Sequence, residues 1–301
     1  MAAGKPVIRA WFFNFDADAE LADPSARTPS RASLARARAL VEKVRALLAP
    51  GDILVPDPPS DDALAAGCVG RAWCPTPRAL DALTRAGARL PPTPSPATLR
   101  RVNHRRFSTD LGRALPQARW INTRADLDRT LAEPSPTGLW LLRRPFGFAG
   151  RGRLRLDPSR RDAVTERWIE TTLAAGEGLE AAPWVERTFD CALHGHLSRQ
   201  GTLVLGAPTV QRCDDTGAWL GSDPAGAGDL APGERLALVA AAEQAAEALR
   251  EARYFGPFGI DAFRFRDADG ALRFEPRCEI NARYSMGWAV GMGALRPDWD
   301  D

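Results

Sequence analysis

Hydrophobic and polar positions alternate one by one over residues 274–283, which predicts an extended strand near the C-terminus. Its apolar face would carry Phe274, Cys278 and Ile280. Its polar face would carry Glu275, Arg277, Glu279, Asn281 and Arg283. A solvated edge strand with a ladder of acids and arginines would explain this pattern. The alternative is a polar face that points at a charged ligand.

Residues 256–265 alternate in a similar way and predict a second strand. The intervening Asp-Ala-Asp-Gly run at residues 267–270 is a hairpin turn signal. The hairpin would bring Asp261 beside Glu279 and Asn281. Two carboxylates and an amide oxygen are hard ligands, and they suit Mg²⁺ that is held partly by substrate phosphates. The hairpin therefore predicts a metal site.

Residues 139–156 read as a hydrophobic strand with a cationic end, a glycine-rich turn and another alternating strand. The turn carries Gly147, Gly150 and Gly152. Glycines let backbone amides approach phosphate oxygens, and a neighbouring cation neutralises the charge. No Gly-Lys-Ser/Thr follows, so this is not a Walker loop, and a strand rather than a helix comes next, so it is not a Rossmann turn. A β-hairpin with a flexible loop is the alternative.

Residues 183–197 predict a strand whose beginning could bind a nucleoside. Main-chain groups of residues 184–186 could read an adenine edge, and the Asp190 carboxylate could bind ribose hydroxyls. An ordinary surface strand is the alternative. His194 and His196 would share a face of this strand and could bind a metal, although a ligand-facing or exposed position explains them more simply.

The first hundred residues predict a separate α/β unit. Strands over 7–15 and 51–55 would lie on either side of an amphipathic helix over 33–48. A second helix would span 77–88. The proline-rich residues 91–96 would then be a linker.

Two segments of the C-terminal half can be predicted from their composition. Residues 221–233 are rich in Gly, Ala, Asp and Pro and predict a mobile loop near the site, and residues 234–253 predict an alanine-rich helix. Four tryptophans could line a pocket for an apolar or peptide substrate, although tryptophans lie more often in the core. They are Trp73, Trp184, Trp219 and Trp288.

Composition narrows the class of protein. The 301 residues, 45% of them hydrophobic, suffice for the cores of two or three subdomains. A formal charge of +2 is too balanced to indicate a nucleic-acid partner. Five cysteines without C-x-x-C spacing argue against a disulfide framework or a zinc knuckle. Since no signal-peptide stretch and no apolar run of about 20 residues is present, we expect a cytoplasmic protein.

Taken in order, these segments resemble the ATP-grasp superfamily over residues 101–293. Arg144-Pro145 and the three glycines are similar to its Lys-Pro and its flap over the phosphates, and residues 279–283 to its Glu-x-Asn-x-Arg signature. Residues 190–197 are similar to its Glu-x-Ser-Val-x-Gly strand, with Asp in place of Glu.

This resemblance implies an α/β and α+β fold, in which a preATP-grasp α/β domain precedes two subdomains whose antiparallel sheets clamp a nucleotide. We expect the preATP-grasp domain at residues 1–96. The subdomain with the phosphate flap would cover 97–183, and the one with the adenine hinge and the Mg²⁺ site would cover 184–301.

The resemblance also implies roles for individual residues. The ligands of Mg²⁺, which Mn²⁺ could replace, would be Asp261, Glu279 and Asn281. The nucleotide contacts would come from Arg105, Arg144, Gly147, Gly150, Gly152, Val185, Glu186 and Asp190. Arg283 would contact phosphate or an acyl intermediate, so Arg283 and Arg144 would be the catalytic residues. Arg106 is an alternative to Arg105.

The implied reaction is ATP-dependent joining of a carboxylate to an amine through an acyl phosphate. The partners would be a small-molecule or peptide carboxylate and an amine, with no nucleic acid and no membrane. The protein could also form a homodimer. A thiol-accepting ligase or a phosphotransferase of the same fold is an alternative. So is a nucleotide-binding regulatory or peptide-binding module without catalysis, and an RNA-binding protein is a more distant one.

The chain departs from the family at its cations. The family usually has lysines where this chain has Arg144 and Arg105. Only Lys5 and Lys43 among its 40 Lys and Arg residues are lysines, so a general preference for arginine would explain the exchange. Arginine also binds phosphate, but with a different geometry.

Overall fold

The computed structural model describes residues 7–23, 25, 31–58, 63–112, 115–147, 152–214 and 219–299. Within these ranges the chain forms three β-sheets that follow one another along the sequence, with helices packed against them. No helix of the described chain is both long and apolar enough to cross a membrane.

The first sheet is parallel. Its strands are β1 (Arg9–Phe12), β2 (Ile53–Leu54) and β3 (Val69–Ala72), and β1 lies in the middle. Its helices are α1 (Ala17–Ala22), α2 (Arg31–Val41) and α3 (Pro77–Arg85). The helix predicted over 33–48 changes at Val41 into a 3₁₀ helix that ends at Leu47. As predicted, α3 begins after an extended Thr76, but it stops earlier than expected because Gly87 turns the chain with φ +83°.

The second sheet is antiparallel. Its strands are β4 (Arg119–Ile121), β5 (Trp140–Arg143), β6 (Arg153–Leu156) and β7 (Leu179–Pro183), in the order β4-β7-β5-β6. Its helices are α4 (Pro96–Asn103), α5 (Arg105–Asp110), α6 (Arg124–Leu131) and α7 (Ala163–Ala174). The two strands predicted within residues 139–156 are thus β5 and β6, which pair antiparallel, while residues 148–151 of the predicted glycine turn lie outside the described residues.

The third sheet is antiparallel and larger. Its strands are β8 (Glu186–Leu197), β9 (Leu203–Leu205), β10 (Thr209–Cys213), β11 (Trp219–Pro224), β12 (Gly256–Arg266) and β13 (Leu272–Asn281). The main order is β11-β10-β8-β12-β13, and β9 pairs with the far end of β8. The remaining helices are α8 (Pro232–Glu251), α9 (Trp288–Met292) and a 3₁₀ helix (Pro297–Trp299).

The predicted mobile loop at 221–233 is wrong in part. Its first four residues belong to β11, because Gln211 and Ser222 are partners in the pairing of β10 with β11. Its last residues already belong to α8, whose first residue is Pro232. The predicted alanine-rich helix is confirmed, with bounds two residues earlier at each end.

The largest hydrophobic core joins the first and third sheets. Trp11 of β1 and Tyr284, just after β13, pack edge to face with their ring centroids 5.3 Å apart. Trp73 and Trp288 are buried in the same cluster, together with the inner face of α8. The second sheet has a core of its own around Trp140. The N-terminal unit therefore packs directly on the sheet that carries the candidate metal ligands.

Candidate active site

The β12–β13 hairpin brings the predicted metal ligands together. Asp261 on β12 and Glu279 on β13 are direct partners in the antiparallel register. The Asn281 side chain donates from Nδ2 to Asp261 Oδ2 over 3.1 Å. Gln211 of β10 donates from Nε2 to Asp261 Oδ1 over 2.7 Å. Two acids and two amides thus lie together on three strands of one sheet.

The electrostatics of the two acids fit a cation. Burial and the nearby negative charge of Glu279 raise the pKa of Asp261 to about 6, although the hydrogen bonds from Gln211 and Asn281 act to lower it. Burial also acts to raise the pKa of Glu279, but Arg105, Arg143 and Arg283 outweigh burial and lower it. A divalent cation would remove the repulsion that raises the pKa of Asp261. Two carboxylates and an amide oxygen suit Mg²⁺ or Mn²⁺.

Two arginines face this site. Arg105 Nη2 lies 3.1 Å from Glu279 Oε1, and Arg143 Nη2 lies 2.6 Å from Oε2 of Glu180, a buried acid on β7. The same Glu180 oxygen is 4.0 Å from Arg105 Nε. Arg105 Nη1 and Arg143 Nε are buried and have no hydrogen-bond partner among the described residues. Buried N–H donors of this kind are ready to bind an anion.

Arg144 points elsewhere. Alternation along β5 places Leu141 and Arg143 in the lining of the cleft between the second and third sheets. Arg144 points to the opposite side of the sheet. Its Nε donates to Thr172 Oγ1 of α7 over 3.0 Å, and its guanidinium lies 4.9 Å from the Trp168 ring centroid. The residue before the proline is therefore not the one that faces the cleft, and its neighbour Arg143 takes that place.

Main-chain hydrogen bonds connect the segment around the glycine turn to Arg105 and Arg144. The Arg105 amide donates to the Pro145 carbonyl over 2.9 Å, and the Arg144 amide donates to the Gly152 carbonyl over 2.7 Å. Gly152 has φ +73°, and a Cβ atom there would lie 3.0 Å from the Phe146 carbonyl oxygen. Gly147 is described, whereas Gly150 lies outside the described residues.

The cleft between the second and third sheets continues away from the acids. Val185 is buried in its wall, opposite Phe263 and Cys278. The Glu186 side chain is exposed and lies 3.9 Å from Arg266, so only its backbone can serve the cleft. Asp190 is 3.0 Å from Arg187, whose guanidinium lies 4.0 Å from the Phe263 ring centroid.

The strict alternation predicted for residues 274–283 is interrupted. A shift in register falls between Asp261 and Phe263, because Asp261 pairs with Glu279 whereas Phe263 pairs with Glu275. Cys278 therefore lines the cleft with Phe263 instead of lying on the opposite face.

Arg283 lies deep in the molecule, between the N-terminal unit and the metal site. Its Nη2 donates to Asp18 Oδ2 of α1 over 2.8 Å. It also lines a cavity of about 230 Å³ together with Asp261 and Asn281. Trp73 and Trp219 line this cavity as well, and Trp184 lines the other cleft, whereas Trp288 is buried in the core.

The two histidines of β8 are both buried. His194 Nδ1 lies 3.1 Å from Ser285 Oγ, and Nε2 lies 3.4 Å from Thr209 Oγ1. Burial lowers the pKa of His194 to about 4, so its ring is neutral. Across the described part of the chain, no three His, Cys, Asp or Glu side chains cluster as metal ligands. Among the described residues, no third side chain of these types therefore joins the histidine pair.

Several residues of the site were not predicted from the sequence. Glu180, Arg187 and Gln211 contact the predicted site residues Arg105, Asp190 and Asp261 respectively, yet none belongs to a recognisable motif. Arg143 had a signal, since it precedes Arg144 at the end of the same strand, but only the alternation of β5 shows which of the two faces the cleft.

The sequence matches no protein-family model and no curated protein. Its structure is similar to that of carboxyaminoimidazole ribonucleotide synthase from Aspergillus clavatus complexed with ATP, with a TM-score of 0.51 and 16% identity over 93% of this chain and 71% of the other. It is also similar to D-alanyl-alanine synthetase A from Vibrio cholerae, with a TM-score of 0.52 and 11% identity over 95% and 91% of the two chains.

N5-carboxyaminoimidazole ribonucleotide synthetase from Thermus thermophilus has a TM-score of 0.51 and 18% identity to this chain, over 92% of it and 72% of that enzyme. At these identities the likeness concerns the fold. All three neighbours are ATP-grasp proteins, and this chain has the ATP-grasp fold that its sequence predicts.

Proposed function

We propose that this protein is an ATP-dependent ligase that activates a carboxylate as an acyl phosphate and passes the acyl group to an amine. The observation that carries the proposal is the pairing of Asp261 with Glu279 beside two arginines that have unpartnered, buried N–H groups. An acidic cation site next to an anion site is what a metal–triphosphate complex requires. The Aspergillus clavatus synthase of the same fold, which is complexed with ATP, supports this proposal.

The metal would be held by Asp261, Glu279 and Asn281, and it would supply charge neutralisation for the phosphates. Gln211 orients the Asp261 carboxylate through its 2.7 Å hydrogen bond. Arg105 and Arg143 would bind phosphate oxygens through their unpartnered nitrogens. Val185 and the backbone of Glu186 would contact the adenine, and Asp190 the ribose.

The reaction would proceed in two displacements. A carboxylate oxygen attacks the γ-phosphorus, the bond from that phosphorus to the bridging oxygen breaks, and its electron pair leaves with ADP. The amine nitrogen then attacks the acyl carbon, the bond from that carbon to the phosphate oxygen breaks, and the nitrogen releases a proton as phosphate departs. Arg283 would stabilise the acyl phosphate. Neither step needs a side chain as strong base, so positioning and charge would set the rate.

The first test is calorimetry with Mg²⁺ and a non-hydrolysable ATP analogue. We expect the wild-type protein to bind the analogue and Asp261→Ala to bind it at least about tenfold more weakly, since loss of one metal ligand should cost about 1.4 kcal/mol or more.

Glu279→Ala tests catalysis. This variant should form no ADP, while its circular dichroism spectrum stays unchanged. Undiminished turnover in Glu279→Ala would contradict the site assignment.

The second test follows ADP release and product type over a screen of carboxylates and amines. An amide product is expected, whereas a thioester or a phosphorylated product would indicate one of the other reactions of the fold. Binding of the analogue without ADP release under any substrate pair would indicate a nucleotide-binding module that has lost catalysis.

A further inference from the structure

Part of the lining of the cavity beside the candidate metal site is apolar, and this part is called the wall. Four large side chains form this wall: Leu40 of α2, Trp73 after β3, Trp219 at the start of β11 and Met286 after β13. Two of them come from the N-terminal unit and two from the C-terminal sheet and the segment that follows it. Whatever substrate occupies the cavity is therefore enclosed by both parts of the molecule.

Few ionisable groups line this cavity among the described residues. Among its described lining residues, the ionisable ones are Asp261, His194 and Arg283. Asp261 belongs to the candidate metal site, and His194 is neutral and held between Ser285 and Thr209. Among the described lining residues, Arg283 is therefore the one permanent cation, and none of the four wall residues is ionisable.

Arg283 is the cation that a reacting carboxylate would meet. One of its terminal nitrogens, Nη2, is engaged with Asp18 over 2.8 Å, and Nη1 makes only a long contact of 3.5 Å with the Tyr284 carbonyl. A guanidinium has five N–H donors, so donors remain for a carboxylate or an acyl phosphate. The rest of the substrate would then extend toward the tryptophans.

Lys43 contacts the segment that carries Trp219. Its ammonium nitrogen donates to the Leu220 carbonyl over 3.2 Å and lies 5.2 Å from the Trp219 ring centroid. These two contacts join the N-terminal unit to β11. The Trp219 indole also donates to Ser222 Oγ over 2.9 Å, which fixes its orientation.

We propose that the carboxylate substrate of this protein carries an aromatic or aliphatic group that packs against Trp219, Trp73, Leu40 and Met286. This inference rests on the proposed function for the position of the reacting carboxylate. An apolar group gains by leaving water for this wall, and an aromatic one can also stack on the indoles. A second charge on the substrate would be buried there without a partner and would weaken binding.

The test uses the whole protein with Mg²⁺ and a non-hydrolysable ATP analogue, and four carboxylates titrated by calorimetry. Hexanoate, adipate and 6-aminohexanoate share a six-carbon chain and differ at its far end, and 3-phenylpropanoate adds an aromatic end. We expect hexanoate and 3-phenylpropanoate to bind at least about tenfold more tightly than the other two, because those two would bury a charge. Equal or tighter binding of adipate or 6-aminohexanoate, or binding of none of the four, overturns the proposal.

Trp219→Ala tests the wall itself. We expect it to weaken the binding of 3-phenylpropanoate about tenfold or more and to leave the affinity for the ATP analogue within about twofold. The matched control is Trp299→Ala, which removes a half-buried tryptophan next to Arg9 and Arg296 and should keep the preference for apolar ends. Equal losses in the two variants would overturn the proposal. Trp73 is less suitable, since it also packs in the main core.

The ligase proposal and this one can fail separately. Adding hydroxylamine and ATP to the carboxylate that binds best should yield a hydroxamate and ADP. If apolar carboxylates bind through Trp219 but no ADP forms, the ligase proposal fails and the substrate class stands. If ADP forms only with a charged-end carboxylate, the ligase proposal stands and the substrate class fails.

Discussion

The cationic side of the cleft depends on two adjacent arginines that point in opposite directions. Arg143 faces the cleft and contacts Glu180, whereas Arg144 contacts Thr172 and stacks on Trp168. Neighbouring residues of a strand face opposite ways, so only one of the two can serve a phosphate.

We expect Arg143→Ala to raise the KM for ATP about 10- to 100-fold, since a charge-assisted hydrogen bond contributes about 1.5–3 kcal/mol. Arg144→Ala, the matched control, should raise it less than about threefold and act mainly on stability. Steady-state kinetics and thermal melting of both variants separate the two effects. A larger KM increase in Arg144→Ala than in Arg143→Ala would instead support Arg144 as the phosphate contact, as the family motif implies.

Asp261 carries an electrostatic cost in the metal-free protein. Its pKa rises from 3.8 to about 6 in the fold because of burial and of Glu279. A carboxyl whose folded pKa lies above its unfolded pKa destabilises the fold when it is ionised. The cost is therefore absent below about pH 4, develops between about pH 4 and 6, and is complete above that. Two pK units correspond to about 3 kcal/mol, and less after allowing for partial exposure.

We therefore expect Asp261→Asn to be more stable than the wild type at pH 8 without metal, by about 2 kcal/mol, and nearly equal to it at pH 4. Guanidinium unfolding in EDTA at both pH values measures this. Added Mg²⁺ should stabilise the wild type and not the variant. A stability difference that does not change with pH would show that ionisation is not its cause.

At the scale of elements, the role of Gly152, just before β6, can be tested by comparison with Gly138, which has the same backbone conformation. Gly152 and Gly138 both have φ +73°, but a Cβ atom would meet the Phe146 carbonyl at Gly152 and nothing within 4 Å at Gly138. Both substitutions by Ala force a left-handed backbone on a residue with a side chain, which costs about 1–2 kcal/mol.

We expect Gly138→Ala to lower stability alone, whereas Gly152→Ala should also weaken binding of the ATP analogue, by about tenfold, because the turn would present its amides to the phosphates. Chemical unfolding and calorimetry of the two variants decide this. Equal nucleotide affinity in both would remove the turn from the proposed phosphate site.

The elements that the sequence predicts well are those whose side-chain period is regular. The β12–β13 hairpin could be predicted because an alternating pattern and a four-residue turn together place Asp261 opposite Glu279. The shift in register beside Phe263 could not, since a bulge depends on what packs against the strand. The same holds for β11, which forms only because β10 offers it a partner.

Side-chain contacts between elements that are distant in sequence could not be predicted from the sequence pattern either. Glu180 meets Arg143 because β7 and β5 are neighbours in the sheet, although they are far apart in sequence. Gln211 of β10 reaches Asp261 of β12 across one intervening strand, β8. Such contacts follow from strand order, which a local pattern does not contain. The domain boundaries 1–96, 97–183 and 184–301 stay predictions.

At the scale of the whole molecule, the N-terminal unit is coupled to the site by more than apolar packing. Asp18 of α1 pairs with Arg283, and both side chains are nearly buried, with 6% and 11% of their surface exposed. Removing one partner of a buried pair leaves the other charge uncompensated, which costs about 3–5 kcal/mol when nothing else balances it. Here Glu279 also acts on Arg283, so the loss should be smaller.

We therefore expect Asp18→Asn to lower the free energy of unfolding by about 2–3 kcal/mol and to raise the KM for the carboxylate more than that for ATP, because Arg283 would lose the contact that orients it. Asp16→Asn is the matched control. Asp16 is more exposed and shares Arg78 with two further acids, so its loss should cost less than about 1 kcal/mol. Unfolding curves and substrate kinetics of both variants are needed, because stability alone would not distinguish coupling from packing. If Asp18→Asn shifted both KM values equally, the N-terminal unit would support the fold without orienting Arg283 in the site.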